Sequence, residues 1–141
     1  MCTRLRNERG QALLETAITL PIILLVCVGI FEFGRAYQVQ QVLTNAAREG
    51  ARVAVLPGIT DGVVTATVRE YLRSGGLVPT DPLINRVVPF NGSAQITASR
   101  VTINYPFNFM VLNPVVRLIT PSSTLGAGVL TMQAATLMRN E

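Results

Sequence analysis

A single apolar run near the N-terminus constrains the fold of this chain more than any other feature. The twenty residues Ala12–Phe31 carry one charged side chain, that of Glu15. At a helical rise of about 1.5 Å per residue, such a run is about 30 Å long, which matches the hydrocarbon core of a bilayer. Three arginines precede the run, so the positive-inside rule places the N-terminus in the cytoplasm and everything after Phe33 outside it. The run is therefore a candidate membrane span with a predicted orientation.

Composition argues against several classes of function. Charged residues make up 14% of the 141 residues, against about 25% in a typical soluble domain. The net charge is +4, but all twelve basic residues are arginines that are spread along the chain without a cluster, which argues against a nucleic-acid partner. The chain has no histidine, the commonest metal ligand and general base. We therefore expect no enzymatic activity, no metal site and no cofactor.

Three kinds of N-terminus would produce this apolar run. A secretory signal peptide would have its apolar core at Ala17–Phe31 and a small-x-small cleavage site at Gly34-Arg35-Ala36. A plain transmembrane anchor would keep the whole segment. A prepilin-type N-terminus would lose a short basic leader on the cytoplasmic side and keep the apolar helix.

Glu15 favours the third kind. A lone carboxylate near the start of a spanning helix costs a few kcal/mol unless it finds a partner, and neither a signal peptide nor a plain anchor needs it. Cleavage after Gly10 would create an amine at Gln11 and make Glu15 the fifth residue of the mature chain. In a pilin-type subunit this carboxylate can neutralise the N-terminal amine of a neighbouring subunit. The alternative is that Glu15 lies at the membrane interface and reaches into water.

The segment Arg9–Val55 resembles the TadE-like family, pilin-like minor subunits of tight-adherence (Flp-type) pilus systems. The matching elements are Arg9-Gly10, Glu15, Leu20-Pro21, Phe33-Gly34-Arg35-Ala36 and Ala46-Ala47-Arg48-Glu49-Gly50-Ala51-Arg52. The resemblance implies a structural subunit with a processing site at Gly10 and Gln11 and an assembly carboxylate at Glu15. It also implies that the helix loosens at Pro21 during packing.

The same resemblance implies partners and a location. The partners are a prepilin peptidase, other pilin-like subunits, the inner-membrane platform and membrane lipid. The location is the inner (cytoplasmic) membrane, crossed once, with the C-terminal domain periplasmic or extracellular or within a surface pilus. Two other functions fit the sequence: a single-span protein whose outer domain senses a ligand or acts as an adaptor, and a secreted globular protein.

Helical spacing of apolar residues continues past the candidate span as far as Val55, and Pro57-Gly58 is the first clear stop. The alanines at 46, 47, 51 and 54 allow close approach of another element, which we expect to be this chain's own sheet rather than a second subunit. A second helix is predicted from Thr60-Asp61 to Gly75-Gly76, with Val64, Val68, Tyr71 and Leu72 on one face.

Beyond Pro82 the apolar period changes to two. Strands are predicted at Asn85–Phe90, Gln95–Tyr105 and Gly128–Met138, with a hairpin turn at Asn91-Gly92. The fold class is therefore α+β: a long N-terminal membrane-spanning helix continues as the spine of a small domain with a second helix and a roughly three-stranded antiparallel sheet. The predicted divisions are a cleaved leader at 1–10, a transmembrane part at 11–33, the outer half of the same helix at 34–56 and the small domain at 57–141.

The connection Pro106–Pro121 is unusually apolar and too short and proline-broken to be a second span. Either it completes the core beneath a long loop, or it covers a partner or an open sheet edge. On the second interpretation Phe107, Phe109 and Leu112 form a partner surface.

Overall fold

The computed structural model describes residues 8–90, 93–111, 114 and 130–140. It has the predicted α+β fold. The elements, in chain order, are α1 (Glu8–Ala54), α2 (Asp61–Ser74), β1 (Leu83–Phe90), β2 (Ser93–Phe107) and β3 (Leu130–Arg139).

Helix α1 is one continuous helix of 47 residues, about 70 Å long. It begins at Glu8, before the expected start near Ala12. The helix continues through Pro21 and ends at Ala54, shortly before Pro57.

The two halves of α1 have opposite environments. Every residue from 10 to 31 is at least partly exposed, and large apolar side chains such as Leu13 (72%) and Phe31 (71%) project from the protein. From Val39 onward one face is buried, with Leu43 and Ala47 fully enclosed. The second half of α1 therefore packs against the rest of the protein, and we call this half, α2 and the sheet together the outer domain. Along the first half, no other described element of the chain packs against the helix.

Helix α2 packs against the alanine-rich face of α1. Its residues Val64, Val68 and Leu72 are fully buried, as the apolar period predicts. Tyr71, which was predicted on the same face, is 36% exposed, because a residue at the edge of the apolar stripe reaches solvent along the side of the helix. The contact is closest at Gly50, where an added Cβ would lie 2.5 Å from a methyl group of Val68.

The sheet is antiparallel, in the order β1-β2-β3. Strands β2 and β3 pair without interruption from Ala98 opposite Arg139 to Phe107 opposite Leu130. The β1–β2 register shifts after Asn85 and again before Phe90. The predicted hairpin turn at Asn91-Gly92 lies outside the described residues, and Phe90 pairs with Ser93 across it.

The core lies between the sheet and the second half of α1. Strand β2 presents Val101 and Ile103 to it, as the alternation of its residues predicts, while Arg100 points to solvent. The alanines of α1 are buried in the chain's own core, as expected. The core members are Val39, Leu43, Ala46, Ala47, Ala51, Ala54, Val64, Val68, Leu72, Val101, Ile103, Phe107 and Ala134.

Candidate functional site

The N-terminal end of α1 carries the residues predicted for processing and assembly. Gly10, Gln11 and Glu15 are exposed, and Glu15 lies one helical turn after Gln11, a rise of about 6 Å. The hydroxyl of Thr19 donates a hydrogen bond of 2.9 Å to the main-chain carbonyl of Glu15. Among the residues that the structure describes, no basic side chain forms an ion pair with its carboxylate. The carboxylate is thus presented outward from the helix.

Pro21 lies on the same exposed part of α1, surrounded in sequence by apolar residues. Proline has no amide hydrogen, so the carbonyl of Ala17 lacks its usual donor four residues later. The backbone is nevertheless helical on both sides of the proline. The position is a local weak point in an otherwise continuous ladder of hydrogen bonds.

A second cluster lies where the apolar run ends. Glu32 and Arg35 are one turn apart on α1 and form an ion pair of 3.2 Å. The amide of Val111 donates to Glu32 Oε1 at 2.6 Å, and Arg35 donates to the carbonyl of Asn108. We call these contacts among Glu32, Arg35, Asn108 and Val111 the clasp, because they join the segment that follows β2 to the helix.

The clasp buries a carboxylate at the end of a candidate span. Glu32 is 1% exposed, and burying a charge is costly unless it is both paired and hydrogen-bonded. Here Arg35 supplies the opposite charge and Val111 the hydrogen bond. The Arg35 guanidinium also lies over the ring of Phe107, 4.7 Å from its centroid, in cation–π geometry.

Aromatic contacts support the clasp. Phe109 contacts Phe107 edge-to-face at 5.2 Å and Phe33 at 6.0 Å between ring centroids. Phe107 is 3% exposed and belongs to the core, Phe109 is half-buried against it, and Met110 is 70% exposed. Leu112, the third residue predicted for a partner surface, lies outside the described residues. The apolar segment therefore begins in the core and turns outward at Met110.

At the end of the outer domain opposite the clasp, Arg86 connects the sheet to both helices. This residue of β1 donates 2.9 Å to the carbonyl of Ala54, at the end of α1, and pairs with Asp61, at the start of α2. The side chain of Asn140 donates 3.1 Å to the Arg86 carbonyl. Both ends of the outer half of α1 are thus tied to the sheet.

A groove of about 520 Å³ opens beside the clasp. Its walls combine polar and apolar side chains from α1, the end of α2 and β2, among them Arg35, Gln38, Val42 and Tyr105. In the described part of the chain no three acidic or cysteine side chains converge in a group that could hold a metal ion. The arrangement offers contacts for binding.

The clasp was not found from the sequence, in which Glu32 had no assigned role and Arg35 appeared only in the candidate cleavage site and in the TadE-like motif. The available signal was their spacing of three residues, which places both on one helix face. Their partners lie 73 and 79 residues further along the chain, and no local pattern reports such a contact. The anchoring role of Arg86 had no sequence signal for the same reason.

Comparison with known proteins bears on α1. Residues 10–52 match the family model described as TadE-like protein. No curated protein matches the chain, and no solved structure does. Within the residues that the structure describes, α1 is long and apolar enough to cross a membrane, and none of its most apolar window is buried within the protein. Over residues 10–52, nearly the whole of α1, the chain is therefore similar to the TadE-like family, as the resemblance in the sequence predicted.

Proposed function

We propose that this chain is a structural assembly subunit, a minor pilin or pseudopilin of a tight-adherence, type IV-like pilus. The observation that carries the proposal is the division of one TadE-like helix into an exposed apolar half and a half that forms the spine of a small domain. An exposed apolar helix of this length needs lipid or other apolar helices around it. Lipid would surround the helix while the subunit is in the inner membrane. After assembly, the similar helices of other subunits would surround it.

Processing would occur between Gly10 and Gln11, by a prepilin peptidase on the cytoplasmic side. The bond lies in the first turn of α1, which begins at Glu8. Amides of a first turn have no partners within the helix, so this turn can unwind at little cost. Glycine at position 10 leaves room for catalytic groups to approach the bond.

Glu15 would act after processing. The new amine at Gln11 is positively charged, and in an assembled bundle it would be buried among apolar helices. A carboxylate from an adjacent subunit would satisfy it, and Glu15 is exposed on α1 one turn after Gln11. Pro21 would let the helix loosen locally as subunits pack. The remaining partners would be the inner-membrane platform and other pilin-like subunits.

The variant Gly10→Arg tests the processing step. We expect a slower-migrating precursor that remains in the membrane and does not join other subunits, because the arginine side chain obstructs the bond. Gly10→Ala, which adds only a methyl group, is the matched control and should mature. Normal maturation and assembly of Gly10→Arg would show that processing does not occur here.

The variant Glu15→Leu tests the assembly role. We expect it to insert at least as well as the native chain, because it removes a charge that costs a few kcal/mol in lipid. Recovery of partner subunits from solubilised membranes should be lost, since an unpaired buried amine is strongly destabilising. Thr19→Leu, one turn further along, is the control and should leave recovery unchanged. If Glu15→Leu recovers as many partner subunits as the native chain, Glu15 has no role in assembly and only reaches the membrane–water interface.

A single-span protein with a ligand-sensing outer domain is the second candidate, and the groove beside the clasp is the observation that favours it. On that hypothesis both Gly10→Arg and Glu15→Leu would leave the membrane-bound protein and its activity unchanged. The two variants therefore distinguish the candidates.

A further inference from the structure

The segment after β2 presents apolar side chains outward at the level where the candidate span ends. Met110 is 70% exposed and Val111 is 39% exposed. On the helix beside them, Phe33 is 64% exposed and Tyr37 is 67% exposed. Together these four residues form an exposed apolar surface, which we call the collar.

The clasp fixes the height of the collar along α1. The Val111 amide lies 2.6 Å from the Glu32 carboxylate, and Phe109 packs against Phe33. Glu32 immediately follows Phe31, the last residue of the apolar run. If the run crosses the bilayer, residues 108–111 lie at its outer boundary and not in bulk solvent.

The polar groups of this segment suit that position. Irregular backbone near lipid is tolerated only where its N–H and C=O groups are satisfied by the protein. Arg35 satisfies the Asn108 carbonyl, and Glu32 satisfies the Val111 amide. Both charged side chains face the segment and each other. Of the exposed side chains of this segment, that of Asn108 is polar and those of Met110 and Val111 are apolar.

We propose that the collar is a second membrane contact, in which Met110 and Val111 enter the interfacial layer of the outer leaflet beside Phe33 and Tyr37. Its partner is the lipid surface itself. Tyrosine is favoured in this layer because its apolar ring can contact lipid while its hydroxyl group remains hydrated. The contact would keep the outer domain at the bilayer surface and restrict its motion relative to the membrane. The inference rests on the spanning role of α1 in the proposed function.

The test uses the full chain with single cysteines carrying an environment-sensitive fluorophore, in a Cys2→Ser, Cys27→Ala background. The probe is placed at Met110→Cys, with Val111→Cys as a second position. The matched control is Val87→Cys on β1, which is 75% exposed. Its neighbour Val88 pairs with Ala98, toward the opposite end of β2 from Phe107. Leu20→Cys, within the run, reports on insertion. Each protein is reconstituted in vesicles of phosphatidylcholine and phosphatidylglycerol.

We expect the probe at 110 to be blue-shifted and protected from aqueous iodide. It should lose more emission to lipids that are spin-labelled near the headgroup than to lipids labelled near the chain end. The probe at 87 should behave as in water. If position 110 is quenched by iodide as strongly as 87, the proposal is overturned. It is equally overturned if protection of 110 appears only when the protein-to-lipid ratio is raised, because the cover is then another copy of the chain.

The probe at position 20 distinguishes failure of the membrane span from failure of the collar alone. If it is quenched by lipids labelled near the chain end while 110 remains aqueous, the span stands and the collar is wrong. If position 20 is itself accessible to iodide, the span fails, and the proposed function and the collar fail with it.

Discussion

Replacement of Gly50 by alanine should destabilise the outer domain, although alanine is the better helix former. An added Cβ at this position would lie 2.5 Å from Val68 Cγ2 and 3.3 Å from Val101 Cγ1. Val68 and Val101 are fully buried and branched at Cβ, so neither can move its methyl groups without leaving a preferred rotamer. Gly50 is thus the point of closest approach between α1, α2 and β2.

The magnitude follows from two opposing terms. Overpacking of this kind costs about 1–3 kcal/mol, whereas alanine gains about 1 kcal/mol over glycine in a helix interior. At Gly34, also within α1, an added Cβ would meet nothing within 4 Å, so Gly34→Ala retains only the favourable term. The two variants should therefore differ by about 1–3 kcal/mol, and each kcal/mol corresponds to about 4–8 °C in Tm for a small domain.

Melting of the full chain in one detergent, followed by far-UV circular dichroism, measures the difference. A double-mutant cycle with Val68→Ala isolates the contact. Val68→Ala alone should cost about 2 kcal/mol through lost burial and a cavity. In that background Gly50→Ala should destabilise much less, because the Val68 methyl group at 2.5 Å is gone and only the 3.3 Å contact with Val101 remains. Additive effects of the two substitutions, within about 0.5 kcal/mol, would refute this description of the packing.

Three further tests concern the contacts that hold the outer domain to α1. Arg86→Met should lower the unfolding free energy by about 1–2 kcal/mol through lost hydrogen bonds, and an unchanged Tm would contradict its anchoring role. Glu32→Gln keeps the shape of the clasp but removes its charge, so hydrogen exchange at the Val111 amide should become faster; unchanged exchange would mean that the ion pair is not needed. Phe109→Asp should lower Tm because the side chain is half-buried between aromatic rings, whereas Met110→Asp, at a position 70% exposed, should leave it unchanged. Equal shifts for these two would contradict the outward turn of the segment at Met110.

The elements that sequence predicts well are those whose signal is local. The helical period of α1 and the stop at Pro57 locate the helix end to within a residue or two. The alternation in β2 identifies Val101 and Ile103 as buried. In these cases hydrophobic burial acts on neighbours in the chain, so the period of apolar residues reports the face directly.

The parts that sequence misses depend on distant partners. Glu32 reads as a charge beyond the span, and only the return of the chain at Asn108 and Val111 buries it. Gly50 reads as an ordinary member of a small-residue stretch until α2 is placed against it. The start of α1 at Glu8 was also missed, because helix termini depend on weak, competing contributions.

The central claim is that this helix is matured at its cytoplasmic end and kept in the membrane as part of a pilus subunit. N-terminal sequencing of the protein purified from membranes of cells that carry the whole pilus system tests it most directly. The account predicts Gln11 as the first residue of membrane-bound protein. An intact Met1 in assembled, membrane-bound material would identify a plain anchor, and soluble protein that begins at Tyr37 would identify a secreted domain. Either result would contradict the account.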